Sequence, residues 1–152
     1  MKKALALARQ HKLPKQILVG YIFDLGRFSG YLGHHQQATE LLEEACRVEE
    51  ELSGATSVYS YKRNFEAARF YFDREQYTPA VHHFDIAVNG ADVWGLQFGD
   101  PIGLAERLDE YATALSKTKQ DKRAEEVRVW SAYIREKNKG RKANKSREKR
   151  YK

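Results

Sequence analysis

Small residues recur in this chain at a fixed spacing, and that spacing limits the possible folds. A small residue is followed 12 residues later by an alanine and 7 residues after that by another small residue, three times over. The sets are Gly26, Ala38 and Ala45; Ala68, Ala80 and Ala87; and Ala112, Ala124 and Ser131, and successive sets stand 42 and 44 residues apart. Two antiparallel helices pack closely only where their side chains are small, so each set predicts one helical hairpin. Because one hairpin cannot bury its apolar face alone, the three are expected to stack as a short solenoid.

Proline and glycine mark the expected ends of these helices. Pro14, Thr78-Pro79 and Asp100-Pro101 each predict a helix start, with Thr78 and Asp100 as the capping residues. Helices are predicted at 2–12, 14–32, 36–52, 57–74, 78–93, 101–118 and 121–138, and strand-like alternation is absent. The sequence therefore predicts an all-α repeat domain over 1–138 and a separate tail over 139–152.

The first predicted helix has no partner helix before it. Ala4, Leu5, Leu7 and Ala8 form an apolar stripe along it. We expect this stripe to pack on the first hairpin and cap the stack, the alternative being that the chain is part of a longer repeat array.

Bulky, small and aromatic residues follow a similar order in the three copies. They are Ile22, Leu25, Gly26, Ala38, Leu42 and Ala45; Ala67, Ala68, Tyr71, Tyr77, Ala80, Phe84 and Ala87; and Leu108, Tyr111, Ala112, Leu115, Ala124 and Ser131. Over roughly residues 14 to 136 this order resembles the tetratricopeptide repeat family, although the spacing here is longer than that family's 34 residues. The resemblance implies an α–α superhelix that acts in protein–protein interaction without catalysis.

In such a superhelix the first helix of each hairpin would line the concave side. Residues six and three before its small residue, and one, four and five after it, share that side at helical spacing. The positions are Gly20, Phe23, Arg27, Gly30 and Tyr31; Lys62, Phe65, Arg69, Phe72 and Asp73; and Glu106, Asp109, Thr113, Ser116 and Lys117. The candidate partner-binding residues among them are Phe23, Arg27, Tyr31, Lys62, Phe65, Arg69, Phe72, Asp109 and Thr113.

Arginine and aromatic side chains dominate the energetics of protein interfaces, so this face predicts a peptide or protein partner. An acidic stretch of that partner would lie over Arg27 and Arg69. The alternative is that the concave side is solvated or closed by self-association.

The sequence carries no motif for catalysis or for a cofactor. It lacks a Gly-x-Ser-x-Gly elbow, a Walker loop and a dinucleotide-binding glycine pattern, so we predict no enzyme activity, no catalytic residue and no cofactor. The carboxylate runs Glu43-Glu44, Glu49 to Glu51 and Glu125-Glu126 are expected on solvated helix faces, in pairs four residues apart.

The histidines and the cysteine are interpreted as structural. Adjacent residues on a helix point roughly 100° apart, so in His82-His83 we expect one ring to pack and the other to be solvated, with no metal bound. His34-His35 is expected in a hairpin turn. Cys46 is expected to be a buried apolar residue. A single cysteine and the lack of an apolar run of about 18 residues fit a protein of the reducing cytoplasm, without a membrane span.

The net charge of +6 is located in the tail. Residues 137–152 hold nine basic residues and one acidic residue, which leaves the rest of the chain slightly acidic. The alternative function is therefore an RNA- or polyanion-binding adaptor that uses Lys139, Arg141, Lys142, Lys145, Arg147, Lys149 and Arg150. With no apolar periodicity, this tail is expected to be disordered.

Overall fold

The computed structural model describes residues 2–93, 99–144 and 151, and in those residues every regular element is an α-helix. The helices are α1 Lys2–Gln10, α2 Lys15–Tyr31, α3 His35–Ser53, α4 Val58–Asp73, α5 Tyr77–Val93, α6 Pro101–Lys117 and α7 Asp121–Lys137. The all-α prediction is confirmed, and each predicted helix is present with its ends within two residues of the predicted ones. None of the helices in this described part combines the length and the apolar character needed to cross a membrane.

Neighbouring helices pack in pairs. The most extensive contacts join α2 to α3, α4 to α5, and α6 to α7, so each pair is one of the predicted hairpins. Smaller interfaces between α3 and α4 and between α5 and α6 join the hairpins, and α1 lies on α2. Helix α4 also contacts α2 and α6, so it lies between the first helices of the other two hairpins.

The recurrent small residues lie in the interior of the protein. All nine of them are buried, as the spacing predicted. A methyl group added at Gly26 would lie 3.1 Å from Cγ of Leu42 and 3.2 Å from Cβ of Leu41, both on α3. In the first hairpin the spacing therefore marks a close contact between α2 and α3.

The helix ends agree with the turn residues except at α5. Asp100 caps α6, since its side chain accepts a hydrogen bond from the backbone N–H of Gly103 at 3.2 Å. The prediction that Thr78 caps α5 is wrong, because the N–H of Ala80 already donates to the carbonyl of Gln76 and the helix begins at Tyr77. Proline is tolerated at the third helical position, where a backbone N–H has no partner within the helix.

Helix α1 contributes one described side chain to the core. Leu5 is buried in a cluster with Val19, Ile22 and neighbouring residues of α2 and α3. The expected stripe is wrong at Leu7, whose side chain is 52% exposed, because the short contact with α2 covers a narrower face. The side chains of Ala4 and Ala8 lie outside the described residues.

Candidate functional site

A residue of the basic tail is buried against the first helices of the first two hairpins. Tyr151 packs against α2 and α4 with none of its surface exposed, as part of the main hydrophobic core. The backbone N–H of Asn144 also donates to the Asp100 carboxylate at 3.1 Å. The expectation of a disordered tail is therefore wrong at Tyr151, because an aromatic side chain gains more from burial than the basic residues around it.

The Tyr151 ring is held by two aromatic rings and a glycine. It stacks on Tyr31 at a centroid distance of 5.1 Å and an interplanar angle of 23°. Phe70 meets it edge-on at 5.2 Å and 83°. Gly30 leaves the space that the ring fills, since a methyl group there would lie 2.7 Å from Cε1 of Tyr151.

Two carboxylates of α4 satisfy the polar groups of Tyr151. Its hydroxyl donates to Oε1 of Glu66 at 2.5 Å, and its backbone N–H donates to Oδ2 of Asp73 at 3.2 Å. Burial and the nearby Glu66 carboxylate raise the pKa of the Tyr151 phenol, which keeps it a neutral donor. We call the group Gly30, Tyr31, Glu66, Phe70 and Asp73 the tyrosine site.

Arg27 holds the Glu66 carboxylate in place from α2. Its Nε lies 3.3 Å from Oε1 of Glu66, and its Nη2 donates to the Tyr31 hydroxyl at 3.1 Å. The Tyr31 hydroxyl in turn lies 3.3 Å from the same Glu66 oxygen. Burial lowers the pKa of the Arg27 guanidinium, but the Glu66 carboxylate and the nearby tyrosine hydroxyls together raise it by more, so Arg27 stays charged.

Of the nine predicted partner-binding residues, Arg27, Tyr31 and Phe23 lie at or beside the tyrosine site. Phe23 is partly buried, and the guanidinium carbons of Arg27 and Arg63 lie 5.6 Å and 5.5 Å from its ring centroid. Of the other residues predicted to share this side, Gly30 and Asp73 contact Tyr151 directly.

The expected open face is wrong for three residues of α4. Phe65 is only 3% exposed, and Phe72 packs edge-on against Tyr77 and Phe84 of α5. Arg69 is buried and donates through Nε to Oε2 of Glu110 on α6 at 3.1 Å, so it already has an acidic partner within the chain. These positions face neighbouring helices because α4 is packed against helices on several sides.

The remaining predicted residues of the concave side are exposed or turned towards α7. Lys62 is exposed on α4. Asp109 binds Ser131 and Arg135 of α7, so it stabilises its own hairpin. Thr113 is exposed and its hydroxyl donates to the carbonyl of Asp109 at 2.8 Å.

Part of the predicted polyanion-binding tail is described. Lys139, Arg141 and Lys142 are exposed, and Lys139 lies 2.6 Å from the Glu136 carboxylate. The other predicted residues, Lys145, Arg147, Lys149 and Arg150, lie outside the described residues.

Sequence reasoning did not place Glu66 and Phe70 among the partner-binding residues. They lie two residues before and two after Ala68, between the positions that helical spacing selected. The sequence feature that could have indicated them is the tyrosine in the tail, because a buried tyrosine needs rings to pack against and an acceptor for its hydroxyl.

The expectation that one ring packs and the other is solvated is confirmed for His82-His83. His82 is exposed, whereas His83 is buried and stacks on Tyr71 at 5.6 Å. The His83 ring lies 2.8 Å from Oδ1 of Asn64 and 3.0 Å from Oε1 of Glu43, which also accepts from the Tyr71 hydroxyl at 2.5 Å. This network joins α3, α4 and α5.

Cys46 is buried, as predicted, and burial raises the pKa of its thiol to about 12, so it is a poor nucleophile at neutral pH. His34 and His35 stand at the start of α3, the predicted hairpin turn. In the described part of the chain no group of three or more histidine, cysteine, aspartate or glutamate residues is placed to hold a metal ion.

The network predicts an acid-dependent loss of stability. The hydrogen bond from His83 lowers the pKa of Glu43 below its ordinary 4.5. The ionised Glu43 therefore contributes fully to the free energy of unfolding above about pH 4.5, and this contribution is lost as the pH falls through the lower pKa of the folded state. Glu43→Gln should therefore lose less stability than the native chain between about pH 5 and pH 3. The difference should be below about 1 kcal/mol because Glu43 is half-exposed. Urea unfolding at each pH measures it, with Glu50→Gln on the same helix as the control.

Searches of protein-family models, curated proteins and solved structures found no match to this chain.

Proposed function

We propose that this chain is a non-catalytic protein-interaction scaffold, built from stacked hairpins of the tetratricopeptide type, that binds a segment of a partner protein on the face formed by α2 and α4. The observation that carries this proposal is the burial of Tyr151 in the tyrosine site. A residue distant in sequence already docks there through its side chain and its backbone N–H, which are the contacts a bound peptide makes.

The composition of the tyrosine site supports binding of a protein segment. Two aromatic rings form its walls, and the charges at its base are paired, Arg27 with Glu66. Interfaces commonly obtain most of their binding energy from a few aromatic anchors seated in such desolvated pockets. The earlier expectation of an acidic partner over Arg27 and Arg69 receives no support, since each arginine has a carboxylate within the chain.

Affinity capture with three full-length baits tests the proposal. Tyr151→Ala vacates the tyrosine site, and adding Gly30→Ala then closes it, because the new methyl group would lie 2.7 Å from where the ring carbon Cε1 sits. Adding Gly20→Ala to Tyr151→Ala is the matched control, since a methyl group at Gly20 on the same helix meets nothing within 4 Å. We expect partner proteins from a lysate of the source cell on the first and third baits, and at least about tenfold less on the second.

The three baits differ only by single methyl groups on α2, so a difference in capture reports on the tyrosine site. Far-UV circular dichroism should show the same helical content for all three. Recovery of the same proteins in the same amounts by every bait would place binding elsewhere and contradict the proposal.

Polyanion binding by the tail is the second candidate function. It is favoured by the exposure of Lys139, Arg141 and Lys142 and by the nine basic residues among the last sixteen. Such binding weakens steeply with salt, because it depends on counterion release. Repeating the capture after nuclease treatment separates the two functions, since proteins held through nucleic acid are then lost from every bait.

A further inference from the structure

We propose that the tyrosine site is selective for an unphosphorylated tyrosine presented by a basic peptide, and that Tyr151 occupies the site in cis, so that a partner must displace it. This inference rests on the proposed function and names the chemistry of the segment that is bound.

The walls of the site select a flat ring. Tyr31 stacks on the Tyr151 ring and Phe70 packs against it in a T-shaped contact, the two arrangements that aromatic pairs favour. Gly30 brings the α2 backbone close enough to complete the enclosure. An aliphatic side chain would lose the stacking on Tyr31.

The base of the site selects the hydroxyl. The Glu66 carboxylate is held by Arg27 and the Tyr31 hydroxyl, and the same Oε1 accepts from the phenol of Tyr151 at 2.5 Å. Phenylalanine fits the walls but has no proton to donate, so it leaves a largely buried carboxylate oxygen with one hydrogen bond fewer. Hydrogen bonds to charged groups are among the stronger ones, and losing this one should weaken binding about tenfold or more.

The Glu66 carboxylate excludes phosphotyrosine. A phosphate group on the ring would bring close to two further negative charges against Glu66, which accepts from the phenol. Three further oxygens on the phenol would need space that neighbouring atoms fill, since Tyr151 has no exposed surface. Phosphorylation of the incoming tyrosine should therefore prevent its binding.

Charge favours a basic peptide around that tyrosine. The occupant seen in the structure belongs to the sequence Lys149-Arg150-Tyr151-Lys152, within a segment of net charge +8. The rest of the chain is slightly acidic, and Asp73 accepts from the backbone of the bound residue itself. A partner tyrosine flanked by basic residues would repeat the sequence context of the residue that the site already holds.

Occupation in cis lowers the apparent affinity for a partner. A peptide binds only the fraction of molecules in which Tyr151 has left the site, so its apparent dissociation constant rises in inverse proportion to that fraction. Tyr151→Ala removes this competition while leaving the five residues of the tyrosine site in place.

The test uses fluorescent peptides and fluorescence anisotropy. The probe is the labelled peptide of residues 141–152, in its native form, as Tyr151→Phe, as Tyr151→Ala and phosphorylated on Tyr151. With the full-length Tyr151→Ala chain, we expect binding of the native peptide, about tenfold weaker binding of the Tyr151→Phe peptide, and at least about tenfold weaker binding of the other two. The native chain should bind the native peptide more weakly than the Tyr151→Ala chain does.

Two protein variants tie the binding to the site. Adding Gly30→Ala to the Tyr151→Ala chain should weaken the native peptide at least about tenfold, whereas adding Gly20→Ala should leave its affinity unchanged. Equal binding of the native and Tyr151→Ala peptides would show attraction by charge alone and overturn the proposal. Equal binding of the phosphorylated peptide would overturn the selectivity as well.

The failure of this inference differs from the failure of the proposed function. If none of the peptides binds while partner proteins are still captured in a Gly30-dependent manner, the tyrosine selectivity is overturned and the scaffold function stands. If capture is independent of Gly30 and the peptide still binds through tyrosine, the scaffold proposal falls and the docking is a property of the tail itself.

Discussion

Glu49→Leu should lower the free energy of unfolding by about 3–5 kcal/mol, because it leaves the guanidinium of Arg63 buried without its carboxylate. The two side chains form an ion pair of 2.8 Å between α3 and α4, with 10% of Arg63 and 4% of Glu49 exposed. Such a pair is often replaceable as a whole but costly to break, since the remaining charge keeps its desolvation penalty. Urea unfolding followed by circular dichroism measures the change.

Two further variants make this result specific. Glu51→Leu, the same substitution on the same helix, removes an exposed pair with Arg47 and should cost below about 1 kcal/mol. Glu49→Leu combined with Arg63→Met should recover most of the lost stability, since no charge is then left buried. Equal stability of the Glu49→Leu and Glu51→Leu variants would contradict a buried ion pair at this interface.

Glu49 also shows where reading the sequence fails. The run Glu49 to Glu51 was expected on a solvated face, and Glu51 does pair with Arg47 four residues away in solvent. Glu49 lies one turn from Cys46 on the buried side of α3, where only a partner on the next hairpin makes a carboxylate tolerable. Helical periodicity describes one helix, whereas burial of a charge depends on which helix packs against it.

The helices and their pairing into hairpins were predictable because their signal is local and repeated. The small residues of each hairpin are 12 and 7 positions apart, and packing two helices closely requires small side chains at those positions. Glycine, proline and capping residues then fixed most helix ends, with Thr78 as the exception. Three copies of one pattern reinforce each other, and any one copy alone would be ambiguous.

The candidate site was less predictable because it joins distant parts of the chain. Tyr151 is separated by 78 residues from Asp73 and by 85 residues from Glu66, and no periodicity relates a tail residue to a helix face. Helical spacing selected Arg27, Gly30, Tyr31 and Asp73. It could not show that Phe65 and Phe72 would turn towards other helices, since α4 is packed on several sides.

The proposed docking of Tyr151 links the two candidate functions. The tail that carries the basic residues also carries the side chain that fills the tyrosine site. A partner tyrosine that displaces Tyr151 therefore releases the end of the segment that would contact a polyanion. If displacement of Tyr151 strengthens polyanion binding by the tail, polyanion binding must favour release of Tyr151 to the same extent, because equilibrium coupling between two sites is reciprocal.

Phe84→Ala should lower the free energy of unfolding by about 3–5 kcal/mol, the usual cost of removing a fully buried phenylalanine ring. Phe84 lies on α5, and its ring contacts Tyr111 of α6 at 5.4 Å and Phe65 and Phe72 of α4 at 6.3 and 6.5 Å between centroids. Its loss opens a cavity at the junction of the second and third hairpins. Those rings belong to different helices that cannot all collapse onto the space, so the cavity term should remain large.

Phe28→Ala supplies the matched control for this loss. It deletes the same ring from α2, where Phe28 is 49% exposed, and should cost below about 1 kcal/mol. The midpoint of urea unfolding should therefore move far more for Phe84→Ala than for Phe28→Ala, with similar slopes of the two transitions. If Phe84→Ala cost as little as its control, the second and third hairpins would not share one core. A reduced slope would instead show that they unfold separately, and the stacked arrangement proposed for the hairpins would then lose its main energetic support.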